Sequence, residues 1–175
     1  MTCQQIRYQQ YIYHQTCSYS KDWNWDSPYT YLKSRYYMEG ASLLVYLLQF
    51  TNIHPNYITI IYALFGVLGG LLIATGVPLY ILIGIFLIFN RGIIDLSDGH
   101  LARLKNKQTK LGAKLDLWAG RVGTYGFYLG VAWYTFRINP YVLVYFIPLM
   151  FFKSKGRACI IDLVCLLIVL SLTLH

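Results

Sequence analysis

From Pro55 to Asn90 the chain runs for 36 residues without one charged side chain. As a single helix that run would be about 54 Å long, against a hydrocarbon core of about 30 Å. It therefore reads as two membrane spans, and Gly76-Val77-Pro78 supplies the break between them. Span one is expected over Asn56 to Thr75. Span two begins near Leu79, but its purely apolar part stops after Asn90, and about 12 residues do not cross a bilayer. The helix must continue through Arg91, Asp95 and Asp98 toward Arg103. That places ionisable groups at membrane depth or just below the headgroups.

The rest of the chain supports the same solvent. It is 57% hydrophobic and only 13% charged, whereas soluble domains carry about 25% charged residues. A disordered or collagen-like chain is excluded by the abundance of Leu, Ile, Tyr and Phe and the absence of a Gly period. Further spans are expected over Leu115–Phe136, with Asp116 and Arg121 in its first turns, over the short Tyr141–Phe152 with Pro148, and over Ala158–His175. The expected fold class is all-α: a polytopic membrane helix bundle of about five transmembrane helices plus an N-terminal interfacial helix. Residues 1–54 form a Tyr-rich cytoplasmic or interfacial arm and residues 55–175 the membrane domain.

Within the arm, the first 38 residues have no apolar run long enough for the core of a signal peptide, so no leader is expected to be removed. Ser27-Pro28 predicts a helix start, and Ala41–Phe50 is too short to span, so it is expected to lie at the interface or to pack against the bundle. Four cysteines are too few and scattered for a disulfide framework. Cys3, His14 and Cys17 have poor zinc spacing, and Cys159 and Cys165 read as buried thiols.

Orientation follows from the basic residues flanking the spans. Ten of them, including Lys33, Arg35, Arg103, Lys105, Lys107, Lys110 and Lys114, fall on one side, and Arg137 alone on the other. The N-terminus and the loop between spans two and three are therefore expected in the cytoplasm, and Lys105, Lys107, Lys110 and Lys114 read as a solvated loop that faces lipid phosphates.

The acids bordering that loop carry the chemistry. Asp95, Asp98, Gly99 and Ala102 fall at i, i+3, i+4 and i+7, on one helix face, and Gly112 and Asp116 are again four apart. Two helices joined by a short basic loop would gather three carboxylates beside small residues. Such a group needs a counter-charge, and hard oxygen ligands suit magnesium, whose remaining positions go to phosphate oxygens and water. The alternative is ion pairing: Asp95 with Arg91, and Asp98 or Asp116 with Arg103 or Lys114. Intramembrane acids on one face mark a functional site by default.

The string Asp95-x-x-Asp98-Gly99-x-x-Ala102-Arg103, eight residues, then Gly112-x-x-x-Asp116 resembles the signature of the CDP-alcohol phosphatidyltransferase family. Pro55-Asn56-x-x-Thr59 resembles the family's P-N-x-x-T entry into the first span. The resemblance covers residues 55–175. It implies transfer of a substituted phosphate from a CDP-linked donor, such as CDP-diacylglycerol, to an alcohol acceptor, with release of CMP. It further implies Mg2+ or Mn2+ in a two-metal site held by Asp95, Asp98 and Asp116, and a nucleotide site formed by Asn56, Thr59, Gly99, Ala102, Arg103 and Gly112. Expected partners are the donor, the acceptor, membrane lipids and a second copy of the chain, with no nucleic acid.

Two departures stand out. The family's last Asp, the proposed base, corresponds to Gly120 here, and the family's six spans exceed the five expected of this chain. A catalytically impaired relative that binds nucleotide and metal is thus the second reading, and a membrane scaffold or transport component the third. Asp162, a turn inside span five, is a candidate substitute proton acceptor, and Arg121, Lys153, Lys155 and Arg157 are candidates for an anionic acceptor.

Overall fold

The computed structural model describes residues 1–16, 28–138, 141 and 161–168. Among them every regular element is helical: α1 (Cys3–Thr16), α2 (Pro28–Leu48), α3 (Pro55–Ala74), α4 (Pro78–Leu104), α5 (Lys110–Ile138) and α6 (161–168). Proline opens α2, α3 and α4, where its missing N–H costs no helical hydrogen bond and its fixed φ suits the first turn. The breaks are equally local. After α3 the chain turns at Gly76, whose φ of +76° is open to glycine without steric cost. After α4, Asn106 takes φ 52°, Lys107 N–H reaches back to Ala102 O at 2.9 Å and Asn106 N–H to Arg103 O at 3.2 Å. That is the paired bonding of a left-handed helix cap, with Asn in the place glycine often holds.

Spans one and two of the sequence reading coincide with α3 and α4 to within a residue or two, and span three with α5, which starts about a turn earlier. The α6 stretch falls inside the fifth expected span; the fourth, Tyr141–Phe152, lies almost wholly outside the described residues. Two helices, α3 and α4, are long and apolar enough to cross a membrane, and only 33% and 28% of their apolar windows are buried. A core helix of a soluble protein would hide most of that surface. Here Leu64, Leu68 and Leu71 on α3, and Leu82 and Phe86 on α4, are exposed.

Two features of the arm go beyond the sequence reading. Ala41–Leu48 are not an element of their own but the second part of a helix that begins at Pro28. Gly40 is the one weak helix former between, and it sits where Ile93 would leave no space for a methyl group. The second feature is α1, which no apolar period announces: its sequence is CQQIRYQQYIYHQT.

The chain divides into two compact units, Met1–Tyr62 with Gly92–Ala119, and Ala63–Arg91 with Gly120–His175. In the first, α1 is fastened to α2 by polar groups. Fully buried Gln10 accepts a hydrogen bond from Ser42 Oγ at 2.8 Å, Arg7 Nε donates to both Glu39 carboxylate oxygens at 2.8 and 2.6 Å, and the Met1 amine donates to Gln49 Oε1 at 3.0 Å. Ile6, Met38, Ala41, Val45, Ile58 and Leu101 are buried around these links. Gly92 of α4 lies flat against the Tyr37 ring of α2.

The second unit is built on close helix approach. Gly66 and Gly70 of α3 meet Gly123, Gly126 and Gly130 of α5 so closely that a methyl group on either side would overlap backbone. Small residues at such spacing let membrane helices gain dispersion contacts along their backbones. Ile73, Ile81, Ile88, Phe127 and Val131 form the adjoining core, with Val164, Cys165 and Ile168 from α6. Cys165 is a buried thiol outside any disulfide, as the sequence predicts. At the far end Arg137 Nη1 donates to Thr75 O at 3.3 Å.

Candidate active site

The first unit holds the acids of the motif. Asp98 is 94% buried, and Thr59 Oγ1 donates to its Oδ2 at 2.6 Å, a short, charge-assisted hydrogen bond. This contact joins α3 to α4 and connects the Pro55-Asn56-x-x-Thr59 segment with the Asp motif. Asp116 lies on the opening turns of α5, near enough to act on Asp98 electrostatically. Neither acid forms a salt bridge within 4.0 Å among the described residues, although the charge of Arg103 reaches Asp98, so the expected alternative of direct pairing with Arg103 or Lys114 is not met there. Asp95 is half-buried one turn before Asp98.

The small residues leave room where the motif places them. A methyl group on Gly112 would stand 3.3 Å from Asn56 Oδ1 and 3.2 Å from Thr109 Oγ1, and one on Gly99 would stand 3.3 Å from Arg103 Nη1. Gly112 therefore lets the Asn56 amide come close to the start of α5, and Gly99 leaves the guanidinium free to fold along α4. Ala102 is half-buried, and its carbonyl takes the Lys107 cap bond.

Arg103 is the residue whose surroundings the sequence did not foretell. Its guanidinium carbon lies 3.7 Å from the centroid of the Tyr13 ring, so α1 covers the last turn of α4. Two imidazoles accompany it. Burial, then the charge of Arg103, holds His14 below its ordinary value of 6.5, while His100 of α4 is buried at 3% exposure with its Nδ1 lacking a hydrogen-bond partner among the described residues. Nothing in the Tyr- and Gln-rich pattern of residues 3–16 marks Tyr13 or His14 over their neighbours.

Lys105 also departs from the expectation of a solvated loop. Its Nζ donates to the carbonyls of Leu48, Thr51 and Ile53 at 3.2, 2.6 and 3.2 Å. The ammonium thereby ties together backbone oxygens at and beyond the end of α2, adding to the turn bonds that Leu48 O already accepts from Thr51 N–H and Oγ1. Lys107, Lys110 and Lys114 are exposed, as expected.

Gly120 belongs to the second unit. Its carbonyl accepts a hydrogen bond from Arg91 Nη2 at 3.4 Å, and Arg91 Nη1 donates to Thr124 Oγ1 at 3.5 Å. Among the described residues no three His, Cys, Asp or Glu side chains stand together as a ready-made metal cage. The donor set nonetheless suits a hard cation that is completed by substrate: a buried carboxylate without an ion pair, with a second acid close by. Magnesium is commonly held by one or two carboxylates together with substrate phosphates.

The family model of the CDP-alcohol phosphatidyltransferases matches residues 52–171. The chain belongs to that family. The matched segment contains Asn56, Thr59, all three acids, the motif glycines and Arg103, and it leaves out α1 and α2. The family is one of membrane-bound transferases of phospholipid biosynthesis, in keeping with the two apolar helices. No curated protein and no solved structure matches the chain.

Proposed function

We propose that this chain moves a substituted phosphate from a CDP-linked donor, CDP-diacylglycerol or a CDP-alcohol, to an alcohol acceptor and releases CMP, at a site in the cytoplasmic half of its membrane helices. The observation that carries the reading is Asp98: a buried carboxylate with no salt bridge among the described residues, held by Thr59 and close enough to Asp116 to feel its charge, within the segment that matches the family. Asp95, Asp98 and Asp116 would hold Mg2+ or Mn2+, which when bound neutralises pyrophosphate charge and polarises the phosphoryl oxygens. Thr59 fixes the Asp98 carboxylate in place before the ligand arrives. Arg103 presents its guanidinium to the donor phosphates, for which the planar fork is well suited. Gly99, Ala102 and Gly112 keep the nucleotide face clear of side chains, and Asn56 supplies an amide to the same face. The acceptor hydroxyl must lose its proton as its oxygen attacks phosphorus and CMP departs.

Gly120 stands where the family pattern has its last acid, so the base for that proton is weakened. Slow turnover with intact binding of nucleotide and metal follows, and Asp162 is the first substitute to test. Release of CMP by the full chain in lipid nanodiscs, measured across a panel of alcohols and both donor types with Mg2+, tests the reading. Asp98→Asn and Asp95→Asn are expected to abolish divalent-dependent binding of CDP. Parent-like binding in both variants would place the site elsewhere.

A further inference from the structure

α1 lies outside the segment that matches the family, yet it carries the aromatic ring against which Arg103 rests. A guanidinium 3.7 Å from a ring centroid is in stacking contact, which attracts the cation and fixes the plane of its donors. An unheld arginine at a helix end would sample many rotamers and would have to lose that freedom on meeting a ligand. α1 is itself secured: the buried Gln10–Ser42 bond and the Arg7–Glu39 pair tie it to α2, so the ring is presented from a fixed support. His14 is held toward its neutral form by burial and by the charge of Arg103. His100, on which Arg103 acts electrostatically, is buried with its Nδ1 lacking a hydrogen-bond partner among the described residues.

We infer that Tyr13 is a positioning residue: by stacking on Arg103 it orients the guanidinium toward the diphosphate of a CDP-linked donor, which makes the N-terminal arm a working part of the donor site. The inference rests on the reading of Arg103 given under the proposed function. It is specific to the ring face, because the Tyr13 ring is still 37% exposed and its truncation removes little core.

Titration of CDP in the presence of Mg2+ into the full chain in nanodiscs, by calorimetry, tests it. Tyr13→Leu is expected to weaken CDP binding about three- to tenfold, the range of a partly desolvated cation–π contact, while Tyr13→Phe, which keeps the face, stays within about twofold of the parent. Tyr8→Leu, an exposed tyrosine of the same helix, serves as the control and is expected to leave binding unchanged. In an Arg103→Gln background, Tyr13→Leu should add nothing. Tyr13→Leu binding like the parent while Arg103→Gln binds weakly would overturn the positioning role and leave the donor-site reading intact. Arg103→Gln binding like the parent would overturn both. A Tyr13→Leu loss that persists undiminished in the Arg103→Gln background, or that Tyr13→Phe reproduces, would show a role other than stacking and sink the inference.

Discussion

At the scale of single residues, the motif side chains differ in how far their surroundings follow from their spacing. Asp95, Asp98, Gly99 and Ala102 share a face because helical periodicity requires it. The Thr59–Asp98 hydrogen bond is a tertiary fact, since 39 residues separate the two. Position 120 is the informative departure. On α5 it lies one turn beyond Asp116, so a carboxylate there would stand about 5 to 6 Å from that acid along the helix surface. General base catalysis is typically worth about 10² to 10⁴ in rate. Gly120→Asp is therefore expected to raise CMP release about tenfold or more, measured on the full chain under saturating donor. An unchanged rate would show either that another group already accepts the proton or that the chain is no transferase; Asp162→Asn in the same assay separates these, because only the first case loses activity. His14 gives a second residue-scale prediction. Its folded value lies below 6.5, so undocked α1 binds more protons, and its contribution to docking is present above about pH 6.5 and is lost as pH falls below it. Arg103 and His100 face it from α4. Hydrogen exchange of α1 amides should quicken between pH 7.5 and 5, and less so in His14→Gln; equal acid sensitivity in both would assign the effect to other groups.

Among the elements, legibility followed the kind of force that forms each helix. α3 and α4 were readable to within a residue or two because lipid demands an uninterrupted apolar run, and because Gly76 and Pro78 are local signals for stopping and starting. α2 was read only in part. Its first half mixes Tyr, Lys and Arg with few apolar residues and ends in Gly40, so the continuity of Ala41–Leu48 with the helix that starts at Pro28 was not legible. α1 was not readable at all, since a buried amide, Gln10, and a bidentate pair, Arg7–Glu39, hold it instead of an apolar stripe. The candidate site shows the same division: the shared helix face of Asp95, Asp98, Gly99 and Ala102 was legible from spacing, whereas the contacts of Tyr13 and Lys105 are with partners far along the chain. Lys105 illustrates the point. A charge run between two spans reads as solvated, but this ammonium donates to three carbonyls near the end of α2. Hydrogen bonds to a charged group are worth about 1.5 to 3 kcal/mol; the group is near solvent, and water would replace part of them. Lys105→Met should cost about 1 to 2 kcal/mol, seen as a lower thermal midpoint, while Lys107→Met, which lacks such contacts, should leave the midpoint within about 0.5 kcal/mol of the parent. Equal effects from the two would show that the clamp contributes nothing.

For the whole molecule the question is which end of α4 faces the cytoplasm. The two ends differ sharply in charge. The turn before α4, Thr75-Gly76-Val77, has no basic residue, and the segment after it, from Arg103 to Lys114, has five. Basic residues near span ends resist translocation, so the charged end is expected on the cytoplasmic side. The same end carries Asp95, Asp98 and Arg103, and under the proposed function a CDP-linked donor bound there would release CMP, a polar nucleotide, into whichever compartment that end faces. Topology and function are thus linked: the charge bias and the chemistry must choose the same side. In a background with the native cysteines replaced by serine, a cysteine introduced by Gln108→Cys in the exposed α4–α5 loop should react with a membrane-impermeant maleimide only after the membrane is opened from the cytoplasmic face. One introduced by Val77→Cys, exposed in the turn at the other end of α4, should react from outside in intact cells. Opposite labelling would put the acids on the far side of the membrane and would overturn the assignment of the basic loop as cytoplasmic. Labelling of both from one side would mean that α4 does not span, and the exposed apolar faces of α3 and α4 would then need a protein partner in place of lipid.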